Sequence, residues 1–182
     1  MGNINEKKLN KDDTYSFIDL LDIDDLQKRF IRSRWLDQMH WMSAKSKSAQ
    51  KKYYILRLIA IVGGVIVPAL VSMNISNEEV MIYIRYITFI ISLLVAISVT
   101  VEEFFHYGER WRHYRNTAER LKIEGWEFFQ LSGSYRDLHS HRDAYTAFST
   151  QVEYILRNEI DIFMTEIARE KKKTELIQGK IE

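Results

Sequence analysis

The sequence has no cysteine. That excludes a disulfide framework, a thiol nucleophile and any cysteine-ligated metal site. It has one proline and seven glycines in 182 residues, so few residues are available to punctuate it with turns, and long helices are expected. It has almost no net charge, +1 with histidine neutral, which argues against a polycation that works on nucleic acid. It has no glycine-rich phosphate loop, nucleophile elbow or zinc motif. His139 and His141, in "HSH", fall in a loop without metalloprotease spacing and read as solvated. Neither enzyme nor cofactor is therefore expected. The first thirteen residues lack the apolar core of a signal peptide, and Glu6 stands where a myristoylation signal needs Ser or Thr. The length suits one domain or one compact membrane unit.

The mean hydropathy is mildly negative, but the apolar residues are not spread evenly. Leu58 to Asn77, "LIAIVGGVIVPALVSMNISN", carries no charge, and neither does Tyr86 to Val101. About 20 apolar residues cross a bilayer core. The second run reaches that length from Val80 if Arg85 snorkels to the headgroups, with Glu78, Glu79 or a neighbouring subunit as the alternative partner for Arg85. "NISNEEV" between the runs reads as a hairpin turn, which puts both chain ends on one side. Lys45, Lys47, Lys51, Lys52 and Arg57 precede the first run, and Arg110, Arg112 and Arg115 follow the second. The positive-inside rule then places both termini in the cytoplasm of a cell membrane.

The fold class expected is an all-α integral membrane protein. A two-span helical hairpin extends as long helices into a cytoplasmic bundle, which a C-terminal helix completes. The segments are an acidic tail over 1–23, with a short helix around Tyr15 to Leu21, and the cytoplasmic part of helix 1 over 24–57. The spans cover 58–77 and 80–101. The cytoplasmic part of helix 2 covers 102–131, the last helix 137–173, and a solvated tail 174–182. Phe104, Tyr107, Trp111, Tyr114, Ala118, Leu121, Gly125 and Phe128 step by threes and fours, a heptad seam. Helix 2 is expected to run unbroken along that seam and to end at "LSGSY", with Gly133 as its C-terminal residue. Tyr145, Phe148, Val152, Ile155, Ile162 and Phe163 mark the apolar side of the last helix.

"RSRWLDQMHWMSAK", "ERWRHYRNTAERLKIE" and "FSTQVEYILRNE" together resemble a bacterial two-transmembrane family that belongs to or borders the SLATT superfamily. The likeness runs from about Arg32 to Glu159. It rests on Arg34, Trp35, Gln38, Trp41 and Lys45, then Pro68, then Trp111, Arg115, Glu119 and Glu124, and finally Tyr135, Phe148, Glu153 and Glu159. It implies an inner-membrane effector of nucleotide-signalled conflict systems, forming pores when a partner domain detects a signal. A fused sensor domain is not recognised in the sequence.

Two spans cannot enclose a pore, so a channel needs several copies. Ala60, Gly64, Pro68 and Ser72 form one small-residue row, and Thr88, Ser92, Ala96 and Thr100 another. Either the rows pack the hairpin within one subunit, or one faces an oligomer axis. In the second case Thr88, Ser92, Ala96 and Thr100 line the conduit, with Glu103 at its cytoplasmic mouth. Gly63, Gly64 and Pro68 make a bend that is either a fixed kink or a hinge. Arg34, Arg115, Glu119, Glu153 and Glu159 read as an ion-pair network beside Trp35, Gln38 and Trp111, with a ligand or ion site as the alternative.

The function expected is a homo-oligomeric pore gated through the cytoplasmic bundle; the alternative is a non-conducting membrane scaffold that docks a cytoplasmic partner. The partners implied are other copies of the chain, the lipid bilayer and a cytoplasmic sensor or signalling protein, with no nucleic acid.

Overall fold

The computed structural model describes the backbone of residues 11–73 and 77–178 and the side chains of residues 14–73 and 77–159. Among these the chain is all helical. Five helices follow in order: α1 Lys11–Asp19, α2 Asp25–Ser72, α3 Glu78–Phe105, α4 Tyr107–Phe129 and α5 His141–Gln178. α1 begins and ends earlier than Tyr15 to Leu21. α5 begins four residues after the expected start at 137, because the Ser140 hydroxyl accepts from the Asp143 backbone N–H at 3.2 Å and caps the helix there. The 1–10 segment, the 74–76 part of the turn, the end of the tail and the side chains of Ile162 and Phe163 lie outside the described residues.

Local chemistry explains the other helix ends. Asn77 caps α3 by accepting from the N–H groups of Glu79 and Val80, and Glu78 and Glu79 complement the positive end of its dipole. Gln27 reaches back to the Asp24 N–H at 3.1 Å at the start of α2. α2 then contains a π-helical stretch, Ile31–Leu36. Its wider turn takes up an extra residue, and Ile31, Trp35 and Leu36 are all buried.

Two expectations about helix 2 are corrected. It is not one rod, because His106 adopts the left-handed conformation, φ 50° and ψ 42°, and separates α3 from α4. Its end is set by Leu131 rather than Gly133. Leu131 has φ 44°, the Ser132 N–H donates to the Glu127 carbonyl at 2.9 Å, and the Leu131 N–H donates to that of Phe128 at 3.2 Å. This is a Schellman end with leucine in the position glycine usually takes. Gly133, φ 54°, serves the next turn instead, where a Cβ would lie 2.3 Å from the Glu127 carboxylate.

The chain divides into two compact units, residues 1–42 with 116–182 and residues 43–115. The first unit has a conventional core. Phe128 stacks on Phe148 with ring centroids 4.3 Å apart, Tyr135 meets Phe128 edge-on at 5.9 Å, and Ile18, Leu36, Leu121 and Val152 fill around them. The second unit is built the other way round. Its buried residues are small: Ser46, Ala49, Gly63, Ser98 and Gly108. A Cβ on Gly63 would lie 2.3 Å from Val95, so α2 and α3 are in close contact there. Large apolar side chains point outward along both helices, Leu58, Val65 and Phe89 each being more than 60% exposed. α2 and α3 are both long and apolar enough to cross a membrane.

Candidate functional site

Trp35 organises the first unit. The π-helical stretch turns its indole inward, where Nε1–H donates to the Leu121 carbonyl at 2.8 Å. The ring meets Phe129 and Phe148 edge-on at 5.6 and 6.1 Å. It occupies the notch left by Gly125, whose missing Cβ would fall 2.0 Å from the indole Cζ2. The role of Gly125 on the seam is thus to admit a tryptophan.

Arg34, the neighbour of Trp35, faces Glu153 on α5. Its Nε and Nη2 donate to the two carboxylate oxygens at 2.5 and 3.0 Å, a bidentate pair. The hydrogen bonds raise the Arg34 pKa and hold the Glu153 carboxyl below the usual carboxylate range. Glu159 is buried and accepts from the Thr117 hydroxyl at 2.5 Å. Glu119 takes the Lys122 ammonium at 3.0 Å. Gln38 is half-buried on α2.

A second buried carboxylate, Glu124, was not singled out as a site from the sequence. It accepts from the Tyr135 hydroxyl. Burial raises its pKa, the Tyr135 hydrogen bond opposes that, and nearby Glu127 adds to the rise. Burial first, and then Glu124, push the Tyr135 phenol up as well. The signal available in the sequence was the seven-residue step from Thr117 to Glu124, which puts both on one helix face.

Two open clefts lie on this unit. One, of 530 Å³, has Phe30, Tyr145, Tyr154 and Glu153 among its lining residues. The other, of 460 Å³, is lined by Phe17, Leu20, Trp126, Phe129 and His141 among others. No group of three or more metal-ligating side chains is found among the described residues.

In the second unit, Trp111 stacks on Tyr53 at 6.2 Å and lies 5.7 Å from Tyr54. Arg115 is exposed at the edge of this unit. Of the small-residue row on α2, Ala60 is half-buried, while Gly64, Pro68 and Ser72 are exposed. Nothing lies within 4 Å of a Cβ built on Gly64, whereas Gly63 is closed against Val95. Pro68 lies inside the continuous helix. On α3, Thr88 and Ser92 are half-buried, and Ala96, Thr100 and Glu103 are exposed. The hydroxyls of Thr88, Ser92 and Thr100 each donate to the carbonyl four residues back, at 2.7, 2.8 and 2.8 Å. Their oxygens keep lone pairs for an outside partner.

The fold therefore defines an all-helical protein with two helices long and apolar enough to span a membrane and a separate aromatic-cored helical unit. Residues 37–143 match the family described as a protein of unknown function, DUF4231, and the chain belongs to that family. Arg34, Trp35, Phe148, Glu153 and Glu159 lie outside the matched span, which is shorter than the likeness from Arg32 to Glu159 suggested. No curated protein and no solved structure matches the chain.

Proposed function

We propose that this chain is an integral membrane protein whose α2–α3 hairpin crosses the bilayer with both termini cytoplasmic, and that several copies assemble into an ion-conducting pore of the SLATT kind. One observation carries the reading. Almost none of the apolar side chains of the two long apolar runs on α2 and α3 is buried, so this surface needs a solvent other than water. Assembly is supported by the α2 row from Gly64 to Ser72, which the hairpin leaves exposed, with open space at Gly64. Thr100 and Ala96 supply a matching exposed row on α3. The exposed hydroxyl oxygen of Thr100 then faces the permeating ion, with Glu103 favouring cations at the mouth, and Thr88 and Ser92 lie half-buried further along the helix. The first unit, keyed by Trp35 and Arg34, receives the gating signal.

The second reading, a non-conducting scaffold, is favoured by the apolar cleft at Phe17, Leu20 and Trp126, a docking surface that a pore does not require. The two differ in conductance and subunit number. Purified protein in planar bilayers passes current on the pore reading, and native mass spectrometry gives four or more subunits. Gly64→Leu is expected to lower both. Silent bilayers with a monomer or dimer would refute the pore and leave the scaffold.

A further inference from the structure

We propose that the basic, aromatic end of the 43–115 unit is a collar that binds the headgroups of anionic phospholipids. This inference rests on the membrane reading above. The segments 43–57 and 102–115 carry eight Lys and Arg against three Glu, namely Glu102, Glu103 and Glu109. The 43–57 segment itself contains no Asp or Glu.

The pairing pattern is informative. In the first unit Arg32, Arg34 and Lys122 each hold a carboxylate. Lys47, Lys51, Arg57, Arg110 and Arg112 are exposed, and none has a carboxylate partner among the described residues. The structure places Lys52 Nζ 5.2 Å from the centre of the Tyr107 ring. These cations are kept available although glutamates lie on the neighbouring helix.

Their depth matches a headgroup layer. The Ser46 hydroxyl donates to the Trp111 carbonyl at 3.4 Å, and the Tyr53 ring closes on Gly108, so 46–53 runs alongside 107–111. Arg57 immediately precedes the charge-free run that starts at Leu58. At about 1.5 Å per residue, Lys52 and Lys51 lie roughly 9–10 Å before Leu58. The headgroup region extends roughly 5–8 Å beyond the hydrocarbon, within reach of a flexible lysine stem. Exposed rings stand at the same level: Tyr54, Phe104 and Phe105, with Phe105 stacked on Tyr107 at 5.3 Å. Aromatic rings are favoured at that depth. Clusters of four to eight basic residues just cytoplasmic of a span select anionic lipid.

The test uses the full chain in vesicles of equal phosphatidylcholine and phosphatidylglycerol. Flotation first establishes that the protein is in the vesicles. It is then extracted in mild detergent, and the retained lipid is weighed by mass spectrometry. At about 1 kcal/mol per basic residue near an anionic surface, phosphatidylglycerol is expected to be enriched at least about threefold. K51Q/K52Q/R57Q is expected to return the ratio to that of the bulk lipid. The charge-keeping K51R/K52R/R57K keeps the enrichment, as does R29Q/R136Q/R142Q, which removes equal charge from the other unit. Protein that floats but retains lipid in the bulk ratio overturns the collar and leaves the membrane reading standing. Loss of enrichment in the R29Q/R136Q/R142Q variant also overturns it, because net charge rather than the collar would be responsible. Protein that does not float overturns both.

Discussion

Gly125→Ala tests the packing on which the first unit depends. Two effects oppose each other. Alanine in place of a glycine inside a helix is worth about 0.8–1 kcal/mol in favour of folding. Against that, the new methyl lies 2.0 Å from Cζ2, 2.6 Å from Cε2 and 2.9 Å from Cη2 of Trp35. Those atoms belong to a rigid ring that is 3% exposed and wedged against Phe129 and Phe148. The ring cannot swing aside without breaking its Nε1–H bond to Leu121. Overpacking of this kind costs about 1–3 kcal/mol, and losing a buried hydrogen bond about 1–3 more. The net expectation is destabilisation by about 1–5 kcal/mol, or about 2–20 °C in Tm for a chain of this size. Thermal melts in detergent, followed by circular dichroism, measure it. A double-mutant cycle sharpens the result: Trp35→Leu removes the clashing atoms, so Gly125→Ala should cost little in that background. Gly125→Ala with a Tm at or above the parent, or a cost that persists beside Trp35→Leu, would refute the notch argument.

Three further outcomes are expected. Glu124 has a folded pKa above its ordinary 4.5, so its contribution is complete below that value and is lost as pH rises through the raised one. Glu124→Gln should therefore melt at or above the parent Tm at pH 7.5, with the difference closing near pH 4; a lower Tm at pH 7.5 contradicts this. Glu153 is the opposite case: its lowered pKa gives stability that is present above 4.5 and lost as pH falls through the lowered value. Arg34→Lys removes the bidentate geometry of this partly exposed, solvent-screened pair, so a loss of only about 0.5–1 kcal/mol and a shallower acid decline are expected in pH-dependent melts. His106→Val should cost about 1–2 kcal/mol, because a β-branched residue resists a φ of 50°, while His106→Asn should stay close to the parent.

The large features were legible because they are averages over many residues. Two charge-free runs mark α2 and α3, and of the three–four seam Ala118, Leu121, Gly125 and Phe128 are buried, with Tyr107, Trp111 and Tyr114 half-buried. Phe104 departs from that seam and is 76% exposed, because the left-handed residue at 106 resets the helix phase. Leu131 is not a residue type that signals such a turn, and His106, though of a type enriched there, is far commoner in ordinary helix, so neither position announces it in the sequence. The same is true of the π-helical stretch at Trp35. The small-residue rows show a different limit. Residues four apart drift around a helix of 3.6 residues per turn, so Ser72 lies about 120° round from Ala60. A seam between two helices follows alternating steps of three and four. That seam runs through Ala49, Ala60 and Gly63 instead, which is why Ala60 is half-buried and Ser72 is exposed. Of the signature residues, Arg34 and Glu153 meet as a pair, while Glu159 accepts from Thr117. The fit of Trp35 to Gly125 depends on a cavity, and no sequence pattern encodes a cavity.

Magnitudes separate the surfaces of the two units. In the first, Phe128, Tyr135 and Phe148 are each less than 2% exposed, and the buried Glu124 and Glu159 each accept a hydroxyl proton. That is how a core forms in water. In the second, about 20 large apolar side chains between Leu58 and Val99 are exposed; at about 1 kcal/mol for a half-exposed side chain, about 20 kcal/mol of burial energy is left unrealised in water. That exceeds the whole net stability of a domain, about 5–15 kcal/mol. A single dimer contact does not remove the problem. The exposed residues include Ile59, Ile61, Val65 and Val71 on α2 and Val80, Ile82, Phe89 and Val99 on α3, which at about 100° per residue spread over roughly two thirds of each helix's circumference. Covering one face leaves the others wet. Hydrocarbon, on the membrane reading proposed above, would cover all of them at once and leave close packing as the force between helices. Under those conditions the open space at Gly64 becomes a place where a second helix can approach, and the sealed position at Gly63 does not.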